Sequence, residues 1–493
     1  MSVGRPPVLR LHERLALALY SLGWVLGTPL ALGYMLWRAR RQPDYRQRLH
    51  ERFGLHPRRR DDAPLIWLHA VSVGETRAAQ PLVRELLARY PGHRLLLTHM
   101  TPTGLDTGRE LFGTLMQGDA PRVLQALLPW DYPFAMRRFL RAWRPALGVI
   151  METELWPNLV AQARREGVPL ALVSGRLSAR SLRKGLRWAS LMRPALAGLD
   201  VVLAQTDADA QRLAQLGRSD VPVVGNLKFD VAPMPEMEAL GHAWRLGLLA
   251  REAGQRHRPT VLLASTRDGE EALLLDAWLE WRATEAGSAR RDHAPAGSDR
   301  PGATSGLESG GGASPVPAEG MPWPPLLVIV PRHPQRFGDV ARAIAARGLK
   351  LVRRSHWGER KPPSSDRDAD VLLGDSMGEM FAYYAMADAA IIGGSLLPFG
   401  GQNLIEACAA GVPVVVGPHM FNFESATDQA IAEDAALRAP DAASALRTAV
   451  AIVADPVRRE TMGERALAFA VRHRGATART MGALTKLIDE RLP

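Results

Sequence analysis

Three short segments put carboxylates or an amine where apolar runs end. After Leu65–His69 comes Ala70-Val71-Ser72-Val73-Gly74-Glu75-Thr76, with Glu75 at the start of a helical pattern. A carboxylate there can act as a general base, but it can equally complement a helix dipole, and the motif alone leaves both open. Ile150-Met151-Glu152-Thr153-Glu154-Leu155-Trp156-Pro157-Asn158 places two acids at the end of a second run, before a proline-opened helix. Glu152 and Glu154 would point to one side if the strand continued, since side chains alternate with period two. One could then cap the helix and leave the other free. Lys228, in Gly225-Asn226-Leu227-Lys228-Phe229-Asp230, is taken singly a surface charge.

The C-terminal part carries a different chemistry. Gly393-Gly394-Ser395 and Gly400-Gly401-Gln402-Asn403-Leu404-Ile405-Glu406 lie between the apolar runs Ala389–Ile392 and Val412–Val416. A strand, a glycine-rich turn and a helix over Asn403–Ala410 suit a phosphate, because free N–H groups and the helix dipole both favour an anion. Glu406, about one helical turn in, could accept hydrogen bonds from ribose hydroxyls. Ser265-Thr266-Arg267, Pro331-Arg332-His333-Pro334 and Ser376-Met377-Gly378-Glu379 also follow apolar runs, and Arg332 could clamp a phosphate through charge-assisted bonds. Metal motifs are weak. Asp207 and Asp209 read as a helix start capped by Thr206, and Asp368 and Asp370 as loop charges, so no catalytic metal is expected.

Positioning these groups requires strands alternating with helices. Leu65–His69, Leu95–Thr98, Leu147–Met151, Leu170–Val173, Val201–Ala204 and Val221–Val224 read as strands, with helices at Thr76–Tyr90, Pro157–Glu166 and Ala208–Leu216. A second series runs through Val261–Ala264, Leu326–Val330, Leu349–Arg353, Val371–Leu373, Ala389–Ile392 and Val412–Val416. Such alternation predicts α/β domains with parallel sheets, whose ligands sit at the carboxyl ends of the strands. The predicted divisions are an anchor over 1–40, a domain over 41–235 and a second over 236–493. Residues 283–325 are rich in Gly, Ser, Ala and Pro and read as a disordered surface insert.

At 493 residues and 46% hydrophobic content the chain can fill two cores. Its single cysteine, Cys408, cannot form an internal disulfide. A net charge of +11 calls for an anionic partner. No zinc-finger, RNA-binding or basic-zipper pattern is present, so nucleic acid is not expected. Leu15–Trp37 carries no charge and exceeds the roughly 20 residues that span a bilayer core. An in-plane helix needs a polar face, which only Ser21 and Thr28 could supply, so a single-pass anchor is expected. Arginines are denser after it than before, which places the large domains in the cytoplasm.

In their order, these motifs resemble the transferases of 3-deoxy-D-manno-octulosonic acid (Kdo) in lipopolysaccharide synthesis. The matching stretches are His69–Thr76, Met100–Gly104, Met151–Asn158, Arg176–Arg180, Asn226–Asp230, Val330–Phe337, Gly374–Glu379, Gly393–Leu396 and Gly417–Phe423. The resemblance implies a GT-B architecture, two Rossmann-like domains facing a central cleft, and transfer of Kdo from CMP-Kdo to lipid IVA at the cytoplasmic face of the inner membrane. It implies no further cofactor. It makes Glu75 the general base, gives Glu154 and Lys228 the transition state, and assigns CMP to Pro331, Arg332, Met377, Gly378, Glu379, Asn403, Leu404, Ile405 and Glu406. Arg267-Asp268 stands where the family usually has His-Glu, which leaves that loop's donor contacts open. Alternatives are a UDP-sugar glycosyltransferase or epimerase of the same fold, and a membrane-tethered, non-catalytic nucleotide-binding protein.

Overall fold

The computed structural model describes residues 9–40, 42–230, 235–249, 258–292, 324–357 and 361–491. It divides into two compact units, Met1–Val231 with His473–Pro493, and Ala232–Arg472.

The first unit is built on six parallel strands: β1 (Leu65–His69), β2 (Arg94–His99), β3 (Val123–Leu127), β4 (Leu147–Met151), β5 (Leu170–Gly175) and β6 (Val201–Ala204). Their spatial order is β3-β2-β1-β4-β5-β6. Every residue of β1 is buried, as in a sheet covered on both faces. Ile66 and Leu68 join one core with Leu82, Val83 and Leu97, while Leu65 and Trp67 join the opposite core with Phe139, Leu159 and Leu196. The order reverses direction between β1 and β4. A crevice opens at such a switch point because the loops after the two strands leave on opposite faces.

The second unit repeats the principle with seven strands: β7 (Thr260–Thr266), β8 (Leu326–Pro331), β9 (Leu351–Arg353), β10 (Val371–Leu373), β11 (Ala389–Ile392), β12 (Val414–Val416) and β13 (Ala436–Arg438). They lie in the order β13-β12-β11-β7-β8-β10-β9, all neighbours parallel, with the switch between β7 and β11. Both units are Rossmann-like.

Several expectations change. Val221–Val224 is not a strand but contributes one bridge, Val223 to Ala204. The helix expected over Thr76–Tyr90 is two, α2 (Val73–Ala78) and Gln80–Arg89, the second opened by Pro81. Its ring cannot donate to the helix ladder, so the break falls there. Strands β3 and β13 were not expected. Helix Glu270–Asp292 extends into the stretch read as an insert from Ala283, while residues 293–323 lie outside the described residues.

The expected 236–493 domain loses its last segment to the first unit. Helix Ala476–Arg491 places Met481, Leu484, Leu487 and Ile488 in the core with Leu82 and Leu86. Asp230 accepts the N–H groups of Gly475, at 2.6 Å, and Thr477, satisfying donors that a helix start leaves open. Arg479 adds a bond to the Val224 carbonyl at 2.9 Å.

The N-terminal helix α1 (Leu11–Arg38) is long and apolar enough to cross a membrane, which makes it a candidate anchor. It lies along the first unit. Residues 13, 17, 20, 21, 24, 28, 31 and 35 are partly covered, whereas Leu15, Leu19, Leu22, Leu26 and Leu30 are exposed.

Candidate active site

In the first unit the sheet brings the loops after β1 and β4 side by side, because β1 and β4 are neighbours. Glu75 therefore meets Glu152 and Glu154. The N-terminus of α2 fixes Glu75: Ser72 caps the helix, and the carboxylate accepts the Val71 N–H at 2.8 Å and the Ser72 hydroxyl at 3.3 Å. The structural role that the motif allowed is thus filled by this side chain at the helix start. Glu75 is 9% exposed, and its carboxyl is pushed up to about 8. Burial is the main cause; the negative charge of Glu152 comes next, and the Val71 N–H and Lys228 oppose it. Such a group can exchange protons near neutral pH.

The strand does not continue through Glu152, so the predicted alternation fails. Glu152 takes a left-handed conformation, φ 55°, and turns the chain sharply after Met151. Its carboxylate binds the Lys228 ammonium at 2.8 Å. That ion pair turns Lys228 from a surface charge into part of the cluster. Neither acid caps the following helix, whose N-cap is Trp156. Glu154 instead accepts the Trp156 indole N–H at 2.7 Å, and burial raises its carboxyl. Lys228 is held in turn by Asn226, whose side chain accepts its N–H at 2.9 Å.

The second unit assembles an electropositive, amide-rich loop cluster at its own switch point. Gly393 follows β11 so closely against β7 that a Cβ would sit 2.4 Å from the Ser265 carbonyl oxygen. Gly394, Gly400 and Gly401 all have φ between 70° and 91°, which glycine adopts freely. Glu270, which sequence reasoning missed, organises this turn. Fully buried, it accepts N–H bonds from Arg267 (2.8 Å), Gly394 (2.6 Å) and Leu396 (2.9 Å). Its only sequence signal is its place five residues beyond Ser265, at the end of β7.

Around these glycines stand Arg267, Arg332 and Arg336. All three positive charges, after burial, push the His333 imidazole below its ordinary value. Arg267 lies over the Phe399 ring at 4.9 Å, while Asp268 pairs with Arg336 at 3.0 Å. Pro331 ends β8, and the Arg332 N–H holds the Thr266 carbonyl at 3.0 Å, fixing the two loops together.

The remaining predicted binding residues divide. Asn403 caps the start of helix Leu404–Ala409 through the Ile405 N–H at 3.1 Å, and its amide reaches Glu406 at the same distance. Leu404 and Ile405 bury their side chains completely and can offer a ligand only backbone. Met377 is exposed, and Gly378 turns the chain with φ 79°. Glu379 faces inward, bound by Arg354 at 2.8 Å and by the Ser376 hydroxyl, so its first role is to hold the loop. The aspartate pairs have other partners. Asp209 accepts from Thr206 and from the Leu177 N–H, and Asp370 binds Arg282 and the Lys350 N–H.

Comparison with known proteins adds an independent line. Residues 47–231 match the family model described as 3-deoxy-D-manno-octulosonic-acid transferase (kdotransferase). A 3-deoxy-D-manno-octulosonic acid transferase of Bordetella pertussis is 48% identical, over 86% of this chain and 88% of that protein. Its counterpart in Haemophilus influenzae is 30% identical, over 94% and 96%. Among solved structures, the C-terminal CMP-Kdo binding domain of WaaA from Acinetobacter baumannii is 28% identical, covering 48% of this chain and 95% of that domain, with a TM-score of 0.34. The calicheamicin glycosyltransferase CalG4 matches at 16% identity over 88% and 100%, with a TM-score of 0.47. With identity at this level sustained across nearly the whole length, the chain belongs to the 3-deoxy-D-manno-octulosonic acid transferase family.

Proposed function

We propose that this glycosyltransferase moves Kdo from CMP-Kdo to lipid IVA in one inverting displacement, at the cytoplasmic face of the inner membrane. The Glu75 carboxylate takes the proton from an acceptor hydroxyl. That oxygen forms the new bond to the Kdo anomeric carbon, while the bond from this carbon to the CMP phosphate oxygen breaks and CMP leaves with its electron pair. The transition state has oxocarbenium character, so the Glu154 carboxylate favours it and Lys228 favours the developing negative charge. The nucleotide falls to the loops beside the glycine turn, to Arg332, and to Asn403 and Glu406. Arg267 adds positive charge beside the glycine turn. No cofactor or metal takes part in this mechanism, and activity with preformed CMP-Kdo is expected to be unchanged by EDTA.

One observation carries the proposal: a buried carboxyl raised to about 8 beside two more acids and a lysine, all at one sheet switch point. A base needs a pKa near working pH, and this cluster provides one. Exposed Arg180, Arg183, Lys184 and Arg187 supply positive charge for the phosphates of the lipid acceptor. Mass spectrometry of products from purified protein, lipid IVA and CMP-Kdo tests the whole scheme. A lipid product gaining Kdo supports it. Binding of CMP without product, or product only from a UDP-sugar, rejects it.

A further inference from the structure

The covered face of α1 is not merely apolar. Ser21 donates to the Asn158 side chain at 3.1 Å, the Thr28 hydroxyl bonds the Tyr132 hydroxyl, and Tyr20 hydrogen-bonds Asp131. Asp131 also accepts the N–H groups of Asn158 (2.9 Å) and Leu159 (2.8 Å), so the tyrosine completes a buried polar network at the start of helix Pro157–Arg165. Trp24 packs against Tyr132 and Trp156, with ring centroids 5.8 and 6.1 Å apart. Ala31, Leu32 and Met35 continue the contact onto the cluster of Trp130, Tyr132 and Ala135.

Ser21 and Thr28 are the two aliphatic hydroxyl groups of this helix; each bonds a backbone carbonyl one turn back, Leu17 at 2.8 Å and Trp24 at 2.9 Å, and each also reaches the folded unit, at Asn158 and Tyr132. From residue 13 to residue 35 the docked stretch is about 33 Å long at 1.5 Å per residue. A bilayer core is about 30 Å thick. A crossing α1 would therefore have its docked face within hydrocarbon over its whole useful length. Either the unit's polar surface, including Arg164 and Arg165, would follow it into lipid, or the bonds to Asp131, Asn158 and Tyr132 would break.

We infer that α1 lies in the plane of the membrane as a fixed part of the first unit, and does not cross it. Its outward face suits one leaflet of an anionic bilayer: Leu15, Leu19, Leu22, Val25, Leu26 and Leu30 are exposed along it, with Tyr34 and Trp37 at its end. Helix Ala189–Ala197 packs on α1 and follows directly after helix Ala179–Arg187, whose exposed Arg180, Arg183, Lys184 and Arg187 lead to Trp188, 61% exposed. Positive charge next to an exposed indole fits anionic headgroups and the interfacial zone. The expected single pass is thereby replaced by attachment from one side.

The inference rests on the membrane attachment proposed above and not on the chemistry. Its test uses the full chain carrying His12→Cys and Asp62→Cys, both at exposed positions, bound to sealed vesicles containing anionic lipid. Cys408 is fully buried and stays unlabelled in the folded protein. After treatment with a membrane-impermeant maleimide, intact-mass analysis counts labels per molecule. An in-plane helix keeps both sites on one side, giving two labels or none whatever the orientation. A crossing helix separates them, giving one label on every molecule and overturning the inference. Failure to float with the vesicles overturns it as well. Kdo transfer is measured in the same vesicles, so single labelling with full activity rejects the in-plane geometry alone.

Discussion

Replacing Glu152 with Gln tests the electrostatics of the acid cluster without touching Glu75 itself. In the native protein the Glu75 carboxyl is pushed up to about 8, so at pH 7 about one-tenth of it is ionised. A base works as its anion, so kcat/KM should rise with pH through about 8. Glu152 is the first charge, after burial, that raises Glu75, and it also engages Lys228 at 2.8 Å. Removing its charge lowers Glu75 directly and weakens its competition for the Lys228 ammonium, whose charge favours the Glu75 anion. Both effects act in one direction. A downward move of about one unit corresponds to about 1.4 kcal/mol and would raise the ionised fraction at pH 7 to about one-half. The assay is the pH dependence of kcat/KM for lipid acceptor, with preformed CMP-Kdo, from pH 5.5 to 9.5. The midpoint of the limb is the readout, because a general loss of activity from disturbing the turn changes its height and not its position. A limb that stays near 8 in the variant, or moves upward, would refute the reasoning. So would a native limb below pH 6.

Four further outcomes follow from the same contacts. Glu75→Gln should lower turnover by about 10²–10⁴-fold while leaving CMP binding by calorimetry near native; near-normal turnover removes Glu75 from the mechanism. The same variant bears on stability. A carboxyl held above its unfolded value binds its proton more tightly in the native state, so its contribution to stability falls as pH rises from about 4.5 to about 8. Denaturant titrations should therefore show a smaller loss over that window for Glu75→Gln than for the native protein. Trp156→Phe removes the 2.7 Å bond to Glu154 and should reduce kcat about tenfold with unchanged CMP affinity; equal losses in both would point to general damage. Glu270→Ala strips four N–H groups of their buried acceptor and should cost about 3–5 kcal/mol of stability and abolish CMP protection in thermal unfolding. A stable variant that still binds CMP would show that the glycine turn holds without it.

Local sequence determined much of this protein. Short β-branched and leucine-rich runs named most strands, since a strand buried on both faces reads as an unbroken apolar run; β1, β4, β6, β10 and β11 begin and end where those runs do. The charge-free stretch within α1 announced a surface that cannot be left to water. Glu75, Glu154 and Arg332 stood out because they follow such runs, and strand ends are where an open sheet offers room.

Other features depended on tertiary structure. Strand order is set by long-range packing, so nothing local to β1 or β4 says that they are neighbours, and the meeting of Glu75 with Glu152 follows only from that order. Glu152 leaves the strand in a left-handed turn while its N–H still bonds the Val173 carbonyl, a contact 21 positions away in sequence. Glu270 was unremarkable in sequence because its value lies in amides more than 120 residues distant. Ser21 and Thr28 looked too few to make a polar face for water; beyond the carbonyls one turn back they reach Asn158 and Tyr132, partners that only the fold supplies. Periodicity along a chain is a local property, whereas the partner of a buried polar group is chosen by the fold.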